Sequence, residues 1–166
     1  MTLATATASG APSARIVLLK AYDERGFVFY TNFTSRKAAE FLENPQAALV
    51  FYWAALDKQV RIEGTLRQVS DAEADAYFAS RERHKQAGAW ASLQSQPLDK
   101  RETLLARVEE MEAHYQGRDI PRPPHWTGMR LAPQRIEFWH QRDARLHERE
   151  VFARCGDGWE HTLLYP

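Results

Sequence analysis

The chain has few of the residues that disulfides and metal sites require. It has one cysteine, Cys155, among 166 residues, so no disulfide can form within it. Its six histidines show no spacing with cysteine of the kind that builds a zinc site. We therefore expect no bound metal, and a reducing compartment such as the cytoplasm.

Long apolar runs and an excess of one charge are missing as well. No run approaches the roughly 20 apolar residues that cross a bilayer, and the N-terminus lacks the charged start and apolar core of a signal peptide. Lysine plus arginine equals aspartate plus glutamate, at 22 each, so no overall positive field attracts a polyanion. We expect a soluble protein without a membrane or nucleic-acid partner, and any basic site must be local.

The composition is that of an ordinary globular protein. Hydrophobic residues make up 44% of the chain and charged residues 27%. A chain of this length buries about 70% of its unfolded surface in one core. No internal repeat or linker divides it, so we predict a single domain over residues 1–166.

The N-terminal half alternates strand and turn signals. Residues 2–9, 14–22 and 27–32 predict a three-stranded meander with turns at Gly10 and at Gly26.

A short helix over residues 35–43 should follow, stopped before Pro45. Residues 47–54 and 60–69 predict two more strands, with Gly64 a candidate bulge. Five strands around one short helix predict a closed or nearly closed barrel.

The C-terminal half begins with helices. Ser70 and Asp99 are candidate caps, so helices should begin near residues 71 and 100. The second helix carries a stripe that we expect to face the core, formed by Leu104, Leu105, Val108 and Met111. Strands are predicted over residues 129–140, 146–155 and 159–164, with a hairpin turn at Gly156-Asp-Gly158.

The most informative local pattern is a basic run near the C-terminus, Arg145-Leu-His147-Glu-Arg149. If the run is extended, Arg145, His147 and Arg149 share one face of the strand. Like charges on one face repel unless water or an anion neutralises them. The pattern therefore indicates either an anion site or a solvated strand face.

A second basic pair stands at a predicted helix start, in Ser35-Arg36-Lys37. The free backbone N–H groups and the helix dipole favour an anion there, and two cations strengthen that preference. A phosphate fits this position. The alternative is that both side chains are simply solvated.

Several motifs occur in the order and spacing of one known family. They are Arg15-Ile-Val-Leu-Leu-Lys20, Phe29-Tyr30-Thr31-Asn32, Ser35-Arg36-Lys37, Gln59-Val-Arg-Ile-Glu-Gly64, Tyr77-Phe-Ala-Ser-Arg81, Gly88-Ala-Trp90-Ala-Ser-Leu-Gln94-Ser95, Pro123-Pro-His-Trp126-Thr-Gly128, Ile136-Glu-Phe-Trp139 and Arg145-Leu-His147-Glu-Arg149. From near Ala11 to Pro166, this set resembles the pyridoxine/pyridoxamine 5'-phosphate oxidase family. The resemblance implies a mainly β fold with flanking helices (α+β), the FMN-binding split barrel, and a homodimer with FMN at the subunit interface. The family normally carries a further segment ahead of the position of Met1.

The resemblance also implies the residues that bind FMN. Arg36 and Lys37 would hold its phosphate, and Arg15 would lie along the cofactor. The other implied contacts are Ile16, Val17, Leu18, Leu19, Lys20, Tyr30, Thr31, Gln59, Gln94, Ser95, Trp139 and Arg149. Glutamine suits the flavin because the pyrimidine edge of its ring presents both donors and acceptors. Taken alone, Gln59 is an exposed strand residue and Trp139 a core aromatic.

A smaller and more cationic set resembles the family's substrate site. Lys20, Tyr77 and Arg81 would bind the substrate phosphate, and a helix would present Tyr77 and Arg81 at i and i+4 on one face. Arg145 and His147 would be the catalytic residues and would contact the pyridine ring.

The sequence departs from the family at Lys85, where the pattern usually has a phosphate-binding serine. Lysine can bind phosphate as a point charge. It is larger than serine, however, and could fill part of the pocket or accompany a different anionic substrate.

The implied reaction is the oxidation of pyridoxamine or pyridoxine 5'-phosphate to pyridoxal 5'-phosphate, with dioxygen as acceptor and hydrogen peroxide as product. Sequence alone does not make His147 an obligate base. Two alternatives stay open: a related flavin oxidase acting on another flat anionic aromatic, such as a phenazine precursor, and a non-catalytic FMN-binding module.

Overall fold

The computed structural model describes every residue, Met1–Pro166. The strands are β1 (Thr2–Ala6), β2 (Pro12–Ile16), β3 (Ala21–Asp23), β4 (Gly26–Asn32), β5 (Gln46–Trp53), β6 (Lys58–Gln68), β7 (Trp126–His140), β8 (Glu148–Cys155) and β9 (Gly158–Leu163). The helices are α1 (Arg36–Glu43), α2 (Asp71–Ala79), α3 (Arg83–Ala91) and α4 (Arg101–His114). None of these helices combines the length and the apolar character that crossing a bilayer requires.

The chain forms two compact units, and each draws on separate stretches of sequence. The first comprises Met1–Phe29, Glu40–Arg67 and Arg130–Pro166. It holds most of a nine-stranded sheet in the order β2-β1-β5-β6-β7-β4-β3, with β8 paired to β7 and β9 paired to β8. The order is open, with β2 and β3 at its two ends. A mainly antiparallel open sheet accompanied by helices confirms the predicted α+β, split-barrel fold class.

The predicted three-stranded meander is wrong. Residues 14–22 form two strands, because the chain leaves the sheet between Ile16 and Ala21. β2 pairs with β1, whereas β3 pairs with β4. The unbroken aliphatic run over residues 16–19 hides this interruption, because strand propensity depends on the neighbours that a strand finds in the sheet.

Gly64 is not a bulge in the ladder between β5 and β6. These strands pair without interruption, with Ala47 opposite Gly64. A Cβ on Gly64 would lie 2.1 Å from the carbonyl oxygen of Ala132 on β7. The position therefore requires glycine because another backbone approaches it closely.

The second unit comprises Tyr30–Ala39 and Gln68–Met129. Its core contains Phe78, Ala87, Ile120 and Trp126. α2 begins as predicted, since the Ser70 hydroxyl accepts the N–H of Glu73 at 3.2 Å.

Other helical details differ from prediction. Lys100, rather than Asp99, is the N-cap of α4, and Asp99 bonds the side chain of Thr103 instead. Val108 and Met111 of the apolar stripe pack against the core, whereas Leu105 is 47% exposed. The patterns did not predict α3, because its polar start gives little periodic signal.

The C-terminal strands lie close to their predicted bounds. β8 and β9 form the expected hairpin, with Cys155 opposite Gly158. Gly156 has a φ of +57°, which suits a two-residue hairpin turn. The single-domain interpretation of residues 1–166 stays a prediction.

Candidate active site

The start of α1 gathers four of the predicted cofactor residues. The Lys37 ammonium donates to the Gln94 side-chain oxygen at 2.7 Å and to the Ser35 hydroxyl at 3.1 Å. The backbone N–H of Arg36 donates to the Ser95 hydroxyl at 3.2 Å. Arg36 and Ser95 are 59 positions apart in sequence, and Lys37 and Gln94 are 57 apart. The two pairs nevertheless meet at a helix N-terminus, where the dipole favours an anion.

Asn32 organises this helix start and was not among the predicted residues. Its side-chain oxygen accepts the backbone N–H and the hydroxyl of Thr34, both at 2.7 Å. Its amide nitrogen donates to the carbonyl of Ser92 at 3.2 Å. Asn32 therefore ties α1 to the segment that carries Gln94 and Ser95. The motif Phe29-Tyr30-Thr31-Asn32 contains the residue but gives no sign of this role.

Two features of this region are typical of a binding site. Ser95 has a φ of +72°, a left-handed conformation that costs a non-glycine residue about 1–3 kcal/mol. Thr31 is buried, and its hydroxyl has no hydrogen-bond partner. Buried polar atoms in native proteins are nearly always paired, so this unpaired hydroxyl is unusual and can bond to a ligand or to water.

The predicted substrate residues of the second unit surround an aromatic stack. The Tyr30 and Tyr77 rings lie 3.9 Å apart at 15°, and Tyr30 and Trp126 lie 5.1 Å apart at 8°. The Arg81 guanidinium lies 4.8 Å from the Trp126 ring and 5.6 Å from that of Phe78. Such contacts hold a cation against a rigid, apolar surface.

Arg81 does not share a helix face with Tyr77, because α2 ends at Ala79. The prediction of one helix presenting both residues is therefore wrong, although both face Trp126. Burial lowers the pKa of Arg81, and the Tyr77 side chain opposes that shift. The Nη1 atom of Arg81 is buried without a partner. An unpaired buried guanidinium nitrogen is costly, and an anionic ligand would satisfy it.

Lys85 lies in the first turn of α3 and is paired with a neighbour. Its ammonium contacts the Glu82 carboxylate at 2.6 Å, and both side chains are largely exposed. The Lys85 hydrogen bond and charge lower the pKa of Glu82. Lys85, which departs from the family pattern, is thus paired with Glu82. The sequence patterns did not identify this partner.

In the first unit, Arg149 is bound to a buried carboxylate. Its Nε and Nη2 both lie 2.8 Å from Oε1 of Glu137, which is 3% exposed. A further nitrogen of Arg149 donates to the carbonyl of Tyr165 at 3.1 Å. Trp139 lies directly opposite Arg149 in the β7–β8 ladder, so the two predicted cofactor residues are neighbours on adjacent strands.

Glu137 is the centre of a larger cationic group. Arg61 and Arg135 each place a nitrogen 3.7 Å from its Oε2, and that oxygen accepts no hydrogen bond. Burial by itself raises the pKa of Glu137, but the Arg149 hydrogen bond and the three positive charges outweigh it and lower the pKa. Glu137 is therefore ionised, and three guanidinium groups converge on it.

The run Arg145-Leu-His147-Glu-Arg149 is not extended as predicted. Asp143–Arg145 form a 3₁₀ turn, and β8 begins only at Glu148. Ala144 and Arg145 have φ values of +53° and +61°. A shared strand face for Arg145, His147 and Arg149 is therefore wrong, because the turn separates Arg145 from the strand. The left-handed backbone at two successive non-glycine residues is instead a strain typical of functional sites.

The His147 ring is placed by two neighbours. Its centroid lies 4.7 Å from that of Trp139, at 47°. Its Nδ1 accepts the backbone N–H of Arg142 at 3.2 Å. The predicted catalytic histidine and the predicted cofactor residue Trp139 are thus in contact.

Arg15 is held by polar partners of its own unit. Nη1 donates to the Thr5 hydroxyl at 2.5 Å and to the Leu3 carbonyl at 3.3 Å, and Nη2 donates to the Ser13 hydroxyl and to the Glu40 carboxylate, the latter at 3.2 Å. Glu40 is buried. These bonds fix the Arg15 side chain at the junction of β1, β2 and α1.

The remaining predicted contacts lie near strand ends or in the break between β2 and β3. Ile16 ends β2, and Val17, Leu18, Leu19 and Lys20 form the break before β3. Two backbone bonds hold this break: Val17 N–H to the Met1 carbonyl and Lys20 N–H to the Val28 carbonyl, both 2.9 Å. Gln59 stands near the start of β6, opposite Tyr52.

Two family models match the chain in succession. The model for pyridoxamine 5'-phosphate oxidase covers residues 1–115, and that for the pyridoxine 5'-phosphate oxidase C-terminal dimerisation region covers residues 126–166. The chain belongs to the pyridoxine/pyridoxamine 5'-phosphate oxidase family. It is accordingly an oxidoreductase of an FMN-dependent family, which confirms the predicted family, enzyme class and cofactor. The C-terminal match supports a homodimer.

Relatives of this family are similar over the whole chain. A pyridoxine/pyridoxamine 5'-phosphate oxidase of Myxococcus xanthus (strain DK1622) is 59% identical over 166 residues, which is all of this chain and 81% of that protein. The protein of the same name from Zymomonas mobilis subsp. mobilis is 53% identical over 166 residues, covering all of this chain and 86% of its own.

Solved structures of the family agree in fold. PhzG from Burkholderia lata 383, in complex with tetrahydrophenazine-1-carboxylic acid, is 38% identical and has a TM-score of 0.94 over 99% of this chain and 81% of its own. A pyridoxamine 5'-phosphate oxidase-related, FMN binding protein from Nostoc punctiforme PCC 73102 shares the fold at 18% identity, with a TM-score of 0.80 over 99% of this chain and 87% of its own. The relatives agree on the family and differ in the small molecule that their names mention.

Proposed function

We propose that this oxidoreductase converts pyridoxamine 5'-phosphate or pyridoxine 5'-phosphate to pyridoxal 5'-phosphate, with dioxygen as acceptor and hydrogen peroxide as product. The observation that carries the proposal is Arg81, whose buried Nη1 has no partner in an aromatic surrounding. An anion satisfies such a nitrogen, and a phosphate forms strong, charge-assisted hydrogen bonds with arginine. The relatives at 53–59% identity, which are named for this activity, support the same substrate.

FMN fits the residues assigned to it. Its phosphate would bind at the start of α1, where a cation and the helix dipole act together. The groups that would hold it are Lys37, Gln94, Ser95 and the backbone N–H of Arg36. The orphaned Thr31 hydroxyl supplies one more donor nearby in sequence. Trp139 and Arg149 would contact the flavin, together with Arg15, the backbone of Ile16–Lys20, Tyr30 and Gln59.

We also propose that FMN lies at the interface of a homodimer. The family's dimerisation region spans residues 126–166. Several large apolar side chains of the first unit are exposed in the single chain, among them Ile16 at 73%, Leu18 at 64% and Leu163 at 70%. Burying such side chains is the usual driving force of a homodimer.

The protein's part in the reaction is binding and orientation. Bound FMN supplies the redox chemistry by which a hydride equivalent leaves the substrate's 4′ carbon and dioxygen is reduced. Arg81, with Tyr77 and Lys20, would fix the substrate phosphate, and Arg145 and His147 would contact the pyridine ring. Holding the reacting carbon in one orientation removes most of the entropic cost of the encounter. With the amine substrate, water then releases ammonia and leaves the aldehyde.

The test is an absorbance spectrum of the purified protein, followed by anaerobic addition of pyridoxamine 5'-phosphate. We expect a yellow protein whose flavin bands bleach on addition and return with air. A yellow protein that stays yellow would overturn the substrate assignment and leave the cofactor assignment in place. A colourless protein that does not bind added FMN would overturn the cofactor assignment.

A second candidate substrate is a reduced phenazine carboxylic acid. The similarity to PhzG, at 38% identity and a TM-score of 0.94, favours it, as does Lys85 in place of the family serine. Such a substrate has a carboxylate instead of a phosphate, so one cation could suffice for its charge. Comparing kcat/KM for pyridoxamine 5'-phosphate and for tetrahydrophenazine-1-carboxylic acid decides between the two.

A further inference from the structure

The backbone of the turn before β8 determines which nitrogen of His147 carries a proton. The N–H of Arg142 points at Nδ1 of His147 at 3.2 Å. A backbone N–H can only donate, so Nδ1 must offer its lone pair. In the neutral ring the single proton therefore sits on Nε2.

The amide that imposes this tautomer is itself anchored. The Arg142 side chain pairs with Glu148 at 2.7 Å and lies 3.1 Å from Nε2 of His140. The preceding N–H, that of Gln141, donates to the carbonyl of Asp57 at 2.9 Å. The turn is thus fixed to β8 and to the loop before β6, and the donor cannot easily turn away.

Trp139 packs against the His147 ring, with the two ring centroids 4.7 Å apart. With Nδ1 occupied and one face against an indole, Nε2–H is the polar edge that the ring can offer to a ligand. A donor at that position suits an oxygen or ring nitrogen that carries negative charge.

We propose that His147 acts on the substrate as an Nε2–H hydrogen-bond donor and not as a proton acceptor, and that the Arg142 backbone amide is the positioning group that makes it so. The role toward substrate rests on the proposed function, whereas the tautomer does not. The proton that the substrate loses from its amine or hydroxyl would then leave to water or to another group, since neutral His147 has no free lone pair.

The tautomer can be measured without any substrate. Long-range ¹H–¹⁵N correlation spectra of the ¹⁵N-labelled, FMN-loaded protein at about pH 8.5 show which ring nitrogen of each neutral histidine carries the proton. The signal that is missing from the spectrum of H147Q is that of His147. We expect a protonated Nε2 and an unprotonated Nδ1 for His147. The opposite assignment, or an average of the two forms, would overturn the proposal.

A pair of variants tests the role toward substrate. Glutamine places its amide near the former Nε2 and asparagine near the former Nδ1, so H147Q can keep a donor in place and H147N cannot. We expect H147Q to lose several-fold in kcat/KM for pyridoxamine 5'-phosphate and H147N roughly 100-fold, the range for a hydrogen bond to a charged group. Equal losses, or no loss, would overturn the donor role. If the wild-type protein does not oxidise this substrate while the spectra show the expected tautomer, the proposed function fails and the ring assignment stands.

Discussion

Glu137 and Arg149 are joined across β7 and β8 by two contacts of 2.8 Å that converge on one carboxylate oxygen. The other oxygen faces Arg61 and Arg135 at 3.7 Å without a hydrogen bond. One buried negative charge therefore holds together three positive ones, among them an arginine assigned to FMN. Removing that charge leaves the guanidinium groups to repel each other.

The first prediction follows from this arrangement. E137Q should lower the free energy of unfolding by about 1–3 kcal/mol, because a charged hydrogen bond is replaced by a neutral one amid three cations. The Kd for FMN should rise, because Arg149 loses the partner that orients it. Urea unfolding and FMN fluorescence quenching measure the two effects.

E63Q is the matched control for that variant. Glu63 pairs with Arg61 at 2.8 Å but is 43% exposed. Exposed pairs contribute about 0–1 kcal/mol, so E63Q should change stability and FMN affinity little. Equal effects of both variants would contradict a special role for the buried carboxylate.

The second prediction concerns pH. The pKa of Glu137 in the folded protein lies below its ordinary value of 4.5. The unfolded chain therefore binds this proton more readily, and the stability that Glu137 contributes is complete above pH 4.5 and is lost as the pH falls through the folded value. In urea unfolding, the gap between wild type and E137Q should be constant near neutral pH and shrink below pH 4.5. A gap that widens on acidification would contradict the assigned sign.

The third prediction separates stability from function at Arg81. R81M should fold at least as stably as wild type, because the unpaired buried Nη1 is removed and the aliphatic chain still packs on Trp126. The KM for pyridoxamine 5'-phosphate should rise about 10- to 100-fold, as expected when a charged hydrogen bond to phosphate is lost. Thermal unfolding and steady-state kinetics measure the two.

R83M is the control variant, for which we expect the opposite changes in stability and in KM. Arg83 donates to the carbonyls of Tyr115 at 2.6 Å and Arg118 at 2.9 Å. Its loss should lower stability and leave KM near that of wild type. An unchanged KM in R81M would remove Arg81 from the substrate site.

The fourth prediction addresses the residue that departs from the family pattern. If Lys85 binds the substrate phosphate, Glu82 competes with the substrate for it, since the two side chains are 2.6 Å apart. E82Q should then lower the KM for pyridoxamine 5'-phosphate, and K85S should raise it. Both pair members are exposed, so stability should hardly change. Faster turnover of this substrate by K85S would instead indicate that lysine blocks the pocket, in favour of the phenazine-type substrate.

The helix start at Ser35-Arg36-Lys37 could be predicted from the sequence, because such a start follows from local chemistry. The structure also brings Gln94 and Ser95, which were predicted as further FMN contacts, to this helix start. That these residues bind FMN stays a proposal. The turn at Ala144 and Arg145 could not be predicted, since left-handed backbone is signalled by glycine or asparagine and neither is present.

Glu137 shows a second limit of prediction from sequence. A lone glutamate between Ile136 and Phe138 predicts a solvent-facing position in an alternating strand. The structure has the reverse, with Glu137 buried and Phe138 46% exposed. Arg135 lies on β7 itself, but Arg61 and Arg149 lie on β6 and β8. No pattern within β7 reveals partners on the strands beside it.

The last prediction tests the close approach of β7 to β6. A Cβ on Gly64 would lie 2.1 Å from the Ala132 carbonyl oxygen, so G64A must push two paired backbones apart. We expect a loss of about 3 kcal/mol in urea unfolding, the upper end for overpacking, because backbone yields less than a side chain. G88A is the control: Gly88 lies within α3 with nothing within 4 Å of a new Cβ. There alanine should stabilise the protein by about 0.5–1 kcal/mol, since it loses less conformational entropy in a helix. If G64A is as well tolerated as G88A, the two backbones are farther apart in solution than the structure has them.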